Sequence, residues 1–233
     1  MTGRALPPTS AFAADDGAAD DRLVRALAGH RSGAGASAAV AAVLADVRVL
    51  VPVLPLPETD EDGRRRTATG VVAVAAPDAR TALPVFSSLD ALSAWHDRAR
   101  PVPTSGPDAA RAALAEGWEI LVLDPAGPVT AVVPRPAVHA LATGGTWLPA
   151  VLGDVVRPVI SAAVTRALAG VEHVTGVAVD PGRSAEVRVV LEVAGGLTRS
   201  GLDAVLADVG RRLAVAPDVA AGVDTVELQV RPG

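Results

Sequence analysis

Four histidines, His30, His96, His139 and His173, are the residues best suited to acid–base or metal chemistry in this chain. None has a carboxylate or a second His at the i, i+4 spacing that sets two ligands on one helix face. Structural or surface roles are expected for all four. There is no Cys, which excludes disulfides, thiolate metal sites and Cys nucleophiles. Ser87-Ser88 and Ser105-Gly106 lie outside any Gly-x-Ser-x-Gly elbow, and no base can be placed beside them, so they read as helix caps. Gly33-Ala34-Gly35-Ala36-Ser37 has no preceding strand and lacks the Gly-Lys-Ser/Thr ending of a nucleotide loop, and a helix connection is expected.

Three further features have a binding reading beside a plain one. Asp60, Glu61 and Asp62 precede Arg64, Arg65 and Arg66, either as a docking tip or, as expected, a solvated loop. Trp95, Trp118 and Trp147 would line a cleft or, as expected, fill the core and the domain edge. Arg135 follows a strand and would meet an anion or, as expected, solvent. No residue is assigned a catalytic, cofactor-binding or metal role, and no cofactor is implied.

Composition narrows the class. Half of the 233 residues are hydrophobic, enough for a buried core at this length. Most are Ala, Val and Leu, so the core must be closely packed from small side chains. The net charge is -5, and the basic residues are scattered Arg with no Lys. No field suited to nucleic acid results, and the missing Lys and Asn fit a GC-rich genome. No apolar run approaches the roughly 20 residues needed to span a bilayer. The first residues hold Arg4, prolines and acids rather than an apolar h-region. A cytoplasmic protein without membrane contact is the expectation.

The elements that must position these residues follow from periodicity. Met1 to Gly17 reads as disordered, within an N-terminal segment 1–19. Asp20 and Asp21 open a helix with Leu23, Val24 and Leu27 on one face, and Gly29 fits its stop. Ala36 to Ala45 is helical. Val47–Leu56, Val71–Ala75 and Ala82–Phe86 read as strands of an antiparallel meander, with Pro52 and Pro55 placing the first at an edge or bulge. A helix follows Ser87 or Ser88, carrying Leu89, Leu92 and Trp95 or His96 on one face. Val102 lies in a short extended piece. A second helix runs from Ser105 or Gly106 to Gly117, with Pro107 in its first turn. Ile120–Leu123 and Val129–Val133 form a hairpin in which Gly127 would take a positive φ. Pro136 opens another helix. Beyond 148, an αββαβ unit is expected. Its parts are a helix over Asp154–Ala169, a hairpin of Val171–Val179 with Glu186–Val193, a helix with Leu202, Val205, Leu206, Val209 and Leu213 on one face, and a strand at Val226–Val230. Helices would cover one sheet face and leave the other to solvent or a partner. The fold class is α+β, with helix-on-sheet domains over 20–148 and 149–233.

Leu83-Pro84-Val85-Phe86-Ser87-Ser88-Leu89, Trp95, Leu123-Asp124-Pro125-Ala126-Gly127-Pro128 and Val132-Val133-Pro134-Arg135, with Val49-Leu50-Val51-Pro52-Val53, resemble the N-terminal domain of the SseB ("enhanced serine sensitivity") family common in actinobacteria. The resemblance covers roughly 20–148, and the αββαβ tail is similar to the family's C-terminal domain. Many relatives hold Asn-Pro where this chain has Asp124-Pro125, and either residue can start the turn. The resemblance implies an α+β fold and brings no reaction and no site residues.

Function is expected to be non-catalytic, through protein binding or scaffolding, with an unknown protein or a second copy of the chain as partner. The alternatives are a small-molecule binder or sensor tied to amino-acid (serine) metabolism, which only the family name suggests, and an enzyme whose groups converge in the fold.

Overall fold

A computed structural model describes residues 12, 15–30, 36–59, 65–76 and 78–233. Eight helices and twelve strands lie among them in mixed sheets, an α+β fold. The chain divides into two compact units, Met1–Val133 with Leu141–Gly145, and Pro134–Ala140 with Thr146–Gly233.

In the first unit, α1 (Asp21–His30) and α2 (Ala36–Leu44) precede β1 (Arg48–Thr59). Asp20 accepts the Arg22 N–H at 2.8 Å and so starts α1. The helix continues past Gly29, which is not its stop. β1 pairs antiparallel with β2 (Arg65–Val71) and β5 (Arg100–Ser105). A second sheet has the order β3 (Val74–Ala75), β4 (Thr81–Val85), β6 (Ile120–Leu123), β7 (Ala131–Val133). Its two central strands are parallel, with Ala82 opposite Ile120 and Val85 opposite Leu123. Both are apolar and buried along almost their whole length, as a covered parallel pair requires. Paired backbone bonds between Leu50 and Phe86, of 2.8 and 2.9 Å, join β1 to the end of β4.

The expected meander is therefore not formed. β1 takes β2 and β5 as ladder partners, while β4 turns to β3 and β6. The chain from Val85 to Ile120 separates β4 from β6 and holds α3 (Leu89–Trp95), β5 and α4 (Gly106–Ala115), long enough for a crossover to a parallel neighbour. The piece around Val102 is β5. The expected strand at 71–75 is split between the end of β2 and β3. β1 is central in its sheet despite Pro52 and Pro55. Its first half pairs only with β5 and its second only with β2, sharing Val53. Each proline thus has one ladder neighbour, as on an edge. Pro52 faces Pro101, a pair that neither residue could close with an N–H.

Small side chains let the helices approach. Ala109, Ala110 and Ala113 of α4 are fully buried. At the start of α4, a Cβ on Gly106 would overlap the Leu44 carbonyl that ends α2.

In the second unit a two-stranded hairpin, β8 (Val151–Leu152) and β9 (Val155–Val156), precedes the helix, and β9 falls where the first turn of the helix over Asp154–Ala169 was expected. Its helix α6 starts only at Pro158 and ends at Ala167, because Pro suits a first helical position. β10 (Val174–Pro181) and β11 (Val187–Val193) form the expected hairpin. The face of α7 (Arg199–Val215) buries Val205, Val209 and Leu213. A short helix α8 (Pro217–Gly222), absent from the sequence reading, precedes β12 (Val226–Pro232), which pairs parallel to β11. Val187, Val189, Leu191 and Val193 are buried in the unit's core. The opposite strand positions hold Arg188, Glu192, Glu227, Gln229 and Arg231, with Val190 buried among them in register. Glu186 ties three segments: its carboxylate accepts the Ala150 and Asp224 N–H groups, each at 2.8 Å, and its own N–H donates to Thr225 at 2.9 Å.

Gly106→Ala forces the α2 and α4 backbones apart. It is expected to cost about 1–3 kcal/mol in chemical unfolding with an unchanged m-value; a neutral outcome would contradict the close approach.

Candidate functional site

Parallel strands end together, and side chains just past their carboxyl ends meet. Ser87 follows β4 by two residues, and Asp124 directly follows β6. The Asp124 N–H extends the parallel ladder to Val85 O at 2.9 Å. Its φ is 50°, a left-handed conformation that Asp tolerates better than most residues. This residue, not Gly127, turns the hairpin left-handed. The Gly127 N–H and the Thr130 hydroxyl both donate to Asp124 O at 2.9 Å.

With its backbone held there, the Asp124 carboxylate points at Ser87. Oδ1 accepts the Ser87 N–H at 2.8 Å, and Oδ2 accepts the Ser87 hydroxyl at 2.7 Å. The two residues are 5% and 6% exposed. They are the buried polar residues of the described chain. Burial pushes the Asp124 carboxyl above its ordinary 3.8, and the two Ser87 bonds pull it down without cancelling that effect.

The other side of Ser87 is fixed by Arg48, the residue that breaks the apolar run of β1. Its guanidinium donates to Ser87 O at 2.8 Å, Asp15 Oδ1 at 2.6 Å and Ala18 O at 2.7 Å. Asp15 to Ala18 is thereby strapped across the start of α3, where the Leu89 N–H donates to Gly17 O at 2.9 Å. Gly17 has φ 79°, and a Cβ there would overlap the Leu89 side chain. The disorder expected through Gly17 does not extend to these residues. Desolvation pushes the Asp15 carboxyl up, but the Arg48 bond, the Gly17 N–H and the Arg48 charge outweigh it and hold the group below 3.8.

Above the Ser87–Asp124 pair lies a groove of about 480 Å³. One wall is α1, through Val24, Leu27 and Ala28. The second is the start and length of α3, through Ser88, Asp90, Ala91 and Ala94. The third is the β6–β7 turn, through Ala126, Gly127, Pro128 and Val129. The volume suits a small organic ligand, and an apolar lining with a few converging polar groups is the usual form of such sites.

Residues 23–140, about half of the chain, match the family described as SseB protein N-terminal domain. The chain belongs to the SseB family. No curated protein and no solved structure matches it. The groove, the Ser87–Asp124 pair and the joined strands that build them all fall inside the SseB domain, apart from the Asp15–Ala18 strap.

The other sequence candidates stay apart. Ser88 caps α3 through the Ala91 N–H, and Ser105 caps α4 through the Asp108 N–H, each at 3.1 Å, as expected. Ser87 is no cap. His96 ends α3, where Nδ1 accepts the Arg98 N–H at 3.1 Å. His139 is exposed on α5 (Arg135–Thr143). His173 is exposed at φ 66° and lies 3.6 Å from Glu172. Among the described residues no three His, Asp or Glu side chains gather as metal ligands. Trp95 packs on Phe86 with ring centroids 5.2 Å apart, while Trp118 and Trp147 are half-buried. Arg135 donates to Val223 O at 2.9 Å within the second unit. The stretches 31–35 and 60–64, with the His30 side chain, lie outside the described residues. No helix among the described residues is long and apolar enough to cross a membrane.

The Ser87–Asp124 contact was missed because each residue had an adequate local role. The available signal was positional: each closes a fully buried apolar run, Leu83 to Phe86 and Ile120 to Leu123.

Asn at 124 can accept the Ser87 N–H and donate to its hydroxyl without a buried charge. A raised carboxyl binds more protons folded than unfolded, so its contribution is lost as pH rises through its folded pKa. Thermal unfolding across pH should show Asp124→Asn gaining on wild type as pH rises above 3.8; parallel profiles would contradict this. Asp124→Ala strands both Ser87 donors and should cost about 1–3 kcal/mol.

Asp15 has the opposite sign: its contribution is present above the unfolded value and lost as pH falls through the lowered one. Arg48→Ala should remove that acid-side slope and speed hydrogen exchange at the Leu89 amide. Unchanged exchange would mean that the strap holds without Arg48.

Proposed function

We propose that the protein is a non-catalytic binding module and that its SseB domain holds a small organic ligand in the groove between α1, α3 and the β6–β7 turn. The observation that carries this is the position of the groove. It opens at the carboxyl ends of the parallel strands β4 and β6, where open α/β sheets place their ligands. The Ser87 hydroxyl is directed into Asp124, and both carboxylate oxygens hold Ser87, which supports a fixing role for the pair rather than a nucleophilic one. The αββαβ order of the second unit, with α8 added before its last strand, supports reading it as the family's C-terminal domain.

A docking role favours a different surface. β12 is an edge strand of its sheet with Leu228 and Val230 partly exposed, and such an edge is open to pairing with another strand. Scaffolding through a protein partner or a second copy would use that edge and leave the groove free.

Thermal unfolding against a panel of small metabolites separates the two, because a ligand selective for the native state raises Tm by mass action. Compounds should raise the Tm of wild type and fail with Ala94→Leu, which fills the groove wall from the exposed side of α3. A panel without any stabilising compound would remove the ligand reading.

A further inference from the structure

The groove is one-sided in charge. Its polar side chains are Ser87, Ser88, Asp90 and Asp124, and among the described lining residues none is basic. The remaining walls, including Val24, Leu27 and Pro128, are apolar. We infer that the ligand is an organic cation, an apolar body ending in a protonated primary amine, with its ammonium group at Asp124. This rests on reading the groove as a ligand site.

The Asp124 carboxylate sets the charge of the ligand. Ser87 supplies one hydrogen bond to each oxygen, and each oxygen has a second lone pair. The Asp124 carboxylate is almost buried at the groove's floor, and the groups bonded to its oxygens are the neutral N–H and hydroxyl of Ser87; an ionised carboxylate so placed without a cationic partner is costly. The cation is therefore to be supplied from outside the domain. An ammonium group fits better than a guanidinium. Ser87 already occupies one side of both oxygens, which hinders a planar two-pronged approach, whereas a compact ammonium needs only one free lone pair. Asp90, exposed at the rim on α3, adds attraction along the entry path. Anionic ligands meet two carboxylates. A free amino acid brings its own carboxylate, for which the lining holds no basic side chain. An apolar amine satisfies both the walls and the floor.

The test compares three six-carbon probes on the full chain: n-hexylammonium, 1-hexanol and hexanoate. Binding is followed by Tm and by amide chemical shifts at Ser87, Ala91 and Gly127. Hexylammonium should bind about tenfold or more tightly than hexanol, one tenfold step being about 1.4 kcal/mol, and hexanoate should bind least. In Asp124→Asn, which keeps the Ser87 bonds, that preference should fall to near parity. If this variant fails to fold, the wild-type ranking at the same three amides still decides. Equal binding of hexanol and hexylammonium, or a preference for hexanoate, would overturn the cation inference and leave the groove as a ligand site. No shift at those amides with any probe would overturn both readings.

Discussion

Two backbone hydrogen bonds, exchanged between Leu50 and Phe86, hold the first unit's two sheets in one arrangement. They fix where β4 ends, and so where Ser87 begins. The parallel pairing of β4 with β6 then brings Asp124 level with it. Everything that shapes the groove follows from that junction. The strap from Asp15 to Ala18, the cap at Ser88 and the left-handed turn at Asp124 each tighten a segment that the junction has already placed. A buried pair of polar residues is stable there because every contact shown is a donor facing an acceptor.

The alanine-rich composition has a direct structural consequence. α4 lies close to its neighbours because Ala109, Ala110 and Ala113 present little bulk and Gly106 presents none. The few large side chains are used at joints. Phe86 is fully buried at the sheet junction and packs, with its ring tilted, against Trp95, which anchors α3 beside the groove. Substitution of either would act on the groove through the position of α3 rather than through direct contact with a ligand.

Local signals in the sequence were sufficient for much of this. Ser88 and Ser105 cap the helices that their spacing announced, and the α7 face is buried as its periodicity required. The hairpin around Asp124 to Pro128 also formed as its punctuation indicated. Pairing was harder to read. Nothing local distinguishes a strand that pairs with its sequence neighbour from one that waits for β6, so the meander replaced the crossover. Arg48 looked like an interruption because its three acceptors, on Asp15, Ala18 and Ser87, are distant in sequence. The candidate site was hidden for the same reason. Asp124 and Ser87 are 37 positions apart, and each had a satisfactory explanation in its own turn.

The most direct measurement is a crystal structure of the full chain grown with n-hexylammonium. The account predicts the alkyl chain between α1 and α3 and the nitrogen within hydrogen-bonding distance of Asp124, with the Ser87 bonds intact. An empty groove under saturating amine, or an amine bound elsewhere, would contradict it.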